Sequence, residues 1–169
     1  VVLTVMSNSG LFKSLEKVGI GYTLTKVGDR FVYECMQEKG YDLGGEQSGH
    51  IIFSKYATTG DGILTSLMLI QILLEKNIPL SKLCDIIQIY PQVMINAKVN
   101  NSKKKAYESD EDIQKMIKEV KEEFANDGRV VIRPSGTEPL IRVMIEGKDK
   151  NYITEKAKKL ATLIEEKLN

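Results

Sequence analysis

The chain has 169 residues, enough for one ordinary domain or two small ones. Its 42% hydrophobic and 28% charged content is that of a globular protein, and a formal net charge of +1 gives no global field toward nucleic acid or an anionic membrane. Cys35 and Cys84 stand far apart in apolar surroundings and read as reduced core residues, not as a disulfide framework.

The first run, Val1 to Met6, is β-branched and apolar, as a buried parallel strand would be. No basic leader precedes it, and the opening in mid-pattern points to a fragment of a longer protein. Leu11, Leu15 and Val18 then recur at helical spacing, with Gly19 as a helix stop. "GYTLTKV" predicts a second strand. Asp29 is a candidate cap for a second helix with Val32, Cys35 and Met36 on its apolar face and Gly40 at its end. A short extended segment from Tyr41 to Gly45 and the strand "HIIF" follow. Asp61 opens a long helix to about Asn77 that is apolar nearly all round, and this predicts burial on several sides. Its apolar run, Gly62 to Leu74, is too short and too interrupted to span a bilayer, so a cytoplasmic location is expected.

The grammar changes between Leu83 and Pro91. "QVMINAKV" alternates like a half-exposed strand, and "NNSKKKAYESD" reads as a solvated polar loop whose lysines do not imply nucleic-acid contact. Ser109 with Asp112 resembles a capping box, and Ile113, Ile117, Val120 and Phe124 form a helical stripe. "GRVVIR" and "LIRVMIEG" predict two strands. Ile153, Ala157, Leu160, Ile164 and Leu168 mark a final amphipathic helix. The expected fold is an α/β domain with a mixed, largely parallel sheet over residues 1–85, then a small α+β domain (β-α-β-β-α) over residues 91–169.

Two polar knots interrupt this pattern. "RPSGTEP" brings Arg133, the hydroxyls of Ser135 and Thr137, and backbone N–H groups around Gly136 into one stiff turn, with Arg142 in the next strand. Arginine forks and consecutive N–H groups suit a phosphate, while the alternative is a rigid hairpin with incidental arginines. In "GGEQSGHIIF", Glu46 and Ser48 alternate and could face one side, as partners for sugar hydroxyls or as parts of a structural turn. His50 is the only histidine; it has no nucleophile pattern for a triad, and one His with two distant Cys gives no zinc spacing. "TTGDG" offers either an anion site or, with Asp61, a helix cap, and Arg30 in "KVGDR" is a further ligand-facing candidate.

The two knots in this order, with "TVMSNSGL", "TKVGDR" and "TTGDG" around them, resemble the α-D-phosphohexomutase family over nearly the whole chain. The resemblance implies the rear half of a four-domain enzyme, domain three followed by domain four. It assigns sugar recognition to Glu46, Ser48 and His50, with Arg30 as a further candidate, and phosphate binding to Arg133, Ser135, Gly136, Thr137 and Arg142. The implied activity is isomerisation of glucosamine 6-phosphate to glucosamine 1-phosphate through a phosphoserine and a hexosamine bisphosphate, toward UDP-N-acetylglucosamine and peptidoglycan. The family's phosphoserine loop and Asp-x-Asp-x-Asp magnesium cluster do not occur in this sequence. No catalytic or metal-binding residue is therefore expected in it; Mg2+ would belong to the complete enzyme, and the chain alone would be inactive. The expected partners are the phosphosugar, the missing domains in cis and a second copy in a homodimer of the complete enzyme, with no nucleic acid or membrane. A glucose or mannose phosphate mutase and a stand-alone phosphosugar-binding module are the alternatives.

Overall fold

The computed structural model of the protein describes residues 1–125 and 128–169. They form two compact units, Val1–Ile89 and Tyr90–Asn169.

The first unit runs β1 (Val2–Thr4), α1 (Ser9–Lys17), β2 (Thr23–Thr25), α2 (Asp29–Lys39), β3 (Leu43–Gly45), β4 (Ile51–Phe53), α3 (Gly62–Lys76) and a five-residue α4 (Leu80–Cys84). Its sheet has the order β2-β1-β3-β4. β1 is parallel to β2 and β3, and β4 is antiparallel to β3, so the sheet is mixed. Val2 and Ile52 of the sheet pack with Val32 and Met36 of α2 in a small core. Gly44 permits this close approach: a Cβ there would lie 2.4 Å from Met36 Sδ and 2.6 Å from Val32 Cγ1. On the other side, Leu3, Leu11, Leu15, Leu43 and Ile51 line an open apolar groove of about 180 Å³.

Three expectations for this unit are corrected. Gly28, not Asp29, is the N-cap of α2; Asp29 occupies the first turn, and its carboxylate accepts the Arg30 N–H at 2.8 Å. The helix α3 forms where expected, capped by Asp61, which accepts the Leu64 N–H at 2.9 Å. None of its residues is buried, however: Ile63 is 78% exposed and Leu74 76%. An all-round apolar helix needs cover on several sides, and the described residues only half-bury one side of it, at Leu64, Met68, Leu69 and Leu73. Cys84 is exposed and not a core residue, whereas Cys35 is half-buried and packs against the core of Val2, Val32, Met36 and Ile52; both are free thiols.

The second unit runs β5 (Gln92–Lys98), two 3-10 turns (Asn101–Lys103, Ala106–Glu108), α5 (Glu111–Glu123), β6 (Arg129–Pro134), β7 (Leu140–Glu146) and α6 (Lys150–Leu168). The sheet order is β5-β7-β6, all antiparallel. Ile141, Val143 and Ile145 of β7 pack with Ile113, Ile117 and Val120 of α5 and with the predicted stripe of α6, all buried. α5 is capped by Asp110, which accepts the Ile113 N–H at 3.0 Å; the expected Ser109 instead donates to the Ala106 carbonyl. Because side chains alternate along a strand, Arg142, Met144 and Glu146 occupy the face of β7 opposite that core. Glu146 is fully buried and pairs with Arg129 across the hairpin at 3.2 Å.

Candidate functional site

Each unit carries one polar cluster, and each cluster is described by itself.

In the first unit, the turn between β3 and β4 closes through the Glu46 N–H to His50 carbonyl bond (2.9 Å) and the Gly49 N–H to Glu46 carbonyl bond (3.0 Å). Gly49 has φ +103°, a conformation that disfavours a side chain. The Glu46 carboxylate is only 7% exposed, yet it is not a free ligand group: Oε1 accepts the Gly28 N–H at 2.8 Å. Gly28 itself has φ +132°, which aims that N–H without Cβ strain. One carboxylate thus ties the β2–α2 turn to the β3–β4 turn. Its Oε2 lies 3.9 Å from His50 Nδ1, and the Ser48 hydroxyl lies 3.2 Å from the same nitrogen. A Cβ at Gly60 would sit 3.2 Å from the His50 Cβ, so the "TTGDG" loop also abuts the histidine. Three loops therefore converge on one end of the sheet, with the Ser48 and His50 side chains exposed. Arg30 is turned to Glu34, 2.7 Å away and on its own helix, and its side chain is 82% exposed. The hydrogen bond to Glu34 and that carboxylate's charge hold the Arg30 guanidinium above its ordinary pKa. Asp61 caps α3, and an acidic side chain there disfavours an anion in "TTGDG".

In the second unit, β6 and β7 pair so that Arg133 and Arg142 are direct cross-strand partners. Like charges in that position repel. Burial first, and then the charge of Arg142, hold the Arg133 pKa below its ordinary value. Arg133 Nε is buried with no hydrogen-bond partner among the described residues. Among the described residues one carboxylate pairs with this arginine couple, and it takes only Arg142: Glu138 Oε2 accepts from Arg142 at 2.9 Å. The turn between the strands is held internally. The Ser135 N–H donates to the Leu140 carbonyl (2.9 Å) and the Glu138 N–H to the Ser135 hydroxyl (3.2 Å). Ser135 is 3% exposed, so its hydroxyl organises the turn and does not project from it. Gly136 and Thr137 are exposed at the tip, and their N–H groups have no partner in the described residues. Gly136 is not left-handed, and a Cβ there would meet nothing within 4 Å, so the turn does not require glycine at this position.

Sequence reasoning missed two participants. Lys104, in the segment that reads as a solvated loop, donates from Nζ to the carbonyls of Ser135 (2.7 Å) and Glu138 (3.0 Å). Glu138 was visible in the motif, but nothing in the pattern shows that it would face Arg142. Among the described residues no group of three or more His, Cys, Asp or Glu side chains could hold a metal ion, so these residues do not fit a magnesium site. No helix among them is long and apolar enough to cross a membrane.

A mixed α/β unit with convergent loops, followed by an α+β unit with a paired-arginine turn, has the architecture of two consecutive phosphohexomutase domains. The sequence model "Phosphoglucomutase/phosphomannomutase, alpha/beta/alpha domain III" matches residues 1–90, and that of the C-terminal domain matches residues 94–163. The chain belongs to the phosphoglucomutase/phosphomannomutase family. It is 56% identical over 169 residues to the phosphoglucosamine mutases of Ruminiclostridium cellulolyticum and Caldicellulosiruptor saccharolyticus, covering 100% of this chain and 38% of each relative. The chain thus spans well under half the length of those relatives. Among solved structures it resembles Aspergillus fumigatus N-acetylphosphoglucosamine mutase in complex with GlcNAc-6P and magnesium, with a TM-score of 0.80 and 22% identity over 96% of this chain and 40% of that one. A Burkholderia thailandensis phosphoglucomutase/phosphomannomutase family protein matches with a TM-score of 0.67 and 20% identity, over 95% of this chain and 37% of that one. At these identities the likeness concerns the fold.

Proposed function

We propose that the chain is the substrate-holding part of a phosphoglucosamine mutase, the enzyme that interconverts glucosamine 6-phosphate and glucosamine 1-phosphate. The observation that carries the reading is the cross-strand pair Arg133 and Arg142, of which only Arg142 has a carboxylate partner, flanked by the Gly136 and Thr137 N–H groups that have no partner in the described residues. A phosphate monoester carries a charge of roughly −1.5 to −2 at neutral pH and offers three strong acceptor oxygens. It relieves the repulsion between the arginines and satisfies their donors. This loop holds the phosphate that does not react. The Glu46–His50 turn faces the sugar: the exposed Ser48 hydroxyl and His50 ring make the contacts, and Glu46 fixes the turn through Gly28. Phosphoryl transfer depends mainly on positioning and charge stabilisation, and these two loops supply positioning. The phosphoserine and the aspartate cluster that holds Mg2+ would come from the remainder of a full-length mutase. The solved Aspergillus fumigatus complexes include one with GlcNAc-6P and magnesium, which supports a phosphosugar as ligand.

Titrating the chain with glucosamine 6-phosphate tests the reading. The amide resonances of Gly136 and Thr137 should shift, and Arg133→Met should weaken the affinity by about 2 kcal/mol, roughly thirtyfold, through lost charge-assisted hydrogen bonds. Unchanged binding by Arg133→Met would overturn it. In a coupled mutase assay with magnesium and hexosamine bisphosphate the chain alone should give no turnover.

A further inference from the structure

The four residues Ser135 to Glu138 carry the free N–H groups of the phosphate loop, and a lysine from a distant segment closes that turn. Lys104 lies between the two 3-10 turns and is half-buried. Its Nζ donates to the Ser135 carbonyl at 2.7 Å and to the Glu138 carbonyl at 3.0 Å, so one ammonium holds both ends of the turn. These contacts do two things. They fix the backbone on either side of Gly136 and Thr137, whose N–H groups are the unpaired ones. They also add a cation to the loop: Arg133, Arg142 and Lys104 against Glu138 leave a net charge of +2, where the arginines and Glu138 alone leave +1. A net charge of +2 matches a phosphate dianion.

We propose that Lys104 is a positioning residue for phosphate binding, clipping the Ser135–Glu138 turn into the conformation that presents Gly136 and Thr137 to the anion. The inference rests on the phosphate reading of that loop. The clip acts through main-chain carbonyls, so the side chains of the turn stay available to the ligand. A turn held in its bound conformation loses less conformational entropy on binding.

The test uses the whole chain, with glucosamine 6-phosphate as the probe and the amide resonances of Gly136 and Thr137 as the signal. Lys104→Met keeps the apolar stem and removes both hydrogen bonds. It should weaken binding about tenfold and speed amide exchange in the turn, while the β7 core amides of Ile141 and Val143 exchange as before. Lys104→Arg, whose guanidinium can also donate to two carbonyls, should bind within about threefold of the parent chain. Arg133→Met is the control that separates the two ideas. If Arg133→Met loses binding but Lys104→Met binds like the parent, the positioning role of Lys104 is wrong and the phosphate reading stands. If Arg133→Met binds like the parent, or the parent gives no shift at Gly136 and Thr137, both fall. Faster exchange at Ile141 and Val143 in Lys104→Met would make the lysine a support of the fold and overturn the positioning role.

Discussion

Arg133 sits in an environment that the ligand-free chain does not favour. Its Nε is buried without a partner among the described residues, and its cross-strand neighbour has the same charge. The folded-state pKa is lowered, so folding disfavours the protonated form; because the group stays protonated at neutral pH, the penalty is present there. A neutral side chain of similar length should remove it. Arg133→Met is expected to stabilise the ligand-free second unit by about 0.5 kcal/mol, the scale of an unfavourable cross-strand pair. That corresponds to a rise in Tm of roughly 2–4 °C for a unit of this size, read by calorimetry without phosphosugar. The same substitution should sharply reduce the Tm rise that a given concentration of glucosamine 6-phosphate gives the parent chain. A gain in stability coupled to a loss of binding is the mark of a functional residue held under electrostatic strain. A fall in Tm instead would mean that the arginine stabilises the hairpin through packing of its stem.

The element that departs most from its expectation is α3. Its apolar composition correctly predicts a helix, and Asp61 caps it as the sequence suggests. Composition gives the need for cover but not the cover itself, and Ile63, Leu67, Ile70 and Leu74 are all exposed. Such a surface binds apolar dyes and promotes self-association. Replacing Leu67 and Leu74 by lysine should sharply lower anilinonaphthalene sulfonate fluorescence of the chain and leave its helical circular dichroism unchanged. Equal dye binding by the variant would place the accessible apolar surface elsewhere, for instance along the groove at Leu3, Leu11 and Ile51. Where periodicity had a partner within the chain, it was reliable: the stripes of α5 and α6 are buried as read, against Ile141, Val143 and Ile145. The polar clusters were legible as motifs because their residue types are adjacent in sequence. Their wiring was not. The bonds from Glu46 to Gly28 and from Lys104 to Ser135 span 18 and 31 positions, and no local pattern encodes such distances.

The two units differ in how much apolar surface each withdraws from water. Among the described residues, the core of the second unit holds sixteen buried apolar side chains, and that of the first holds Val2, Val32, Met36 and Ile52. Each fully buried aliphatic side chain contributes roughly 1.5–3 kcal/mol before the entropy of ordering is subtracted. The strands of the first unit are also only three residues long, against six and seven in the hairpin of the second. The chain should therefore unfold in two steps, the first unit at the lower temperature. The steps can be assigned by their ligand and mutant responses. Substituting Gly44 by Ala, which forces a Cβ into Met36 and Val32, should lower only the first transition. Glu146→Gln, which removes the charge of the fully buried carboxylate that pairs with Arg129, should lower only the second. Calorimetry of the parent chain and these two variants measures both. One transition shifted alike by both substitutions would show that the units melt cooperatively, and the stability of the Arg133–Arg142 hairpin would then depend on the first unit as well as on its own core.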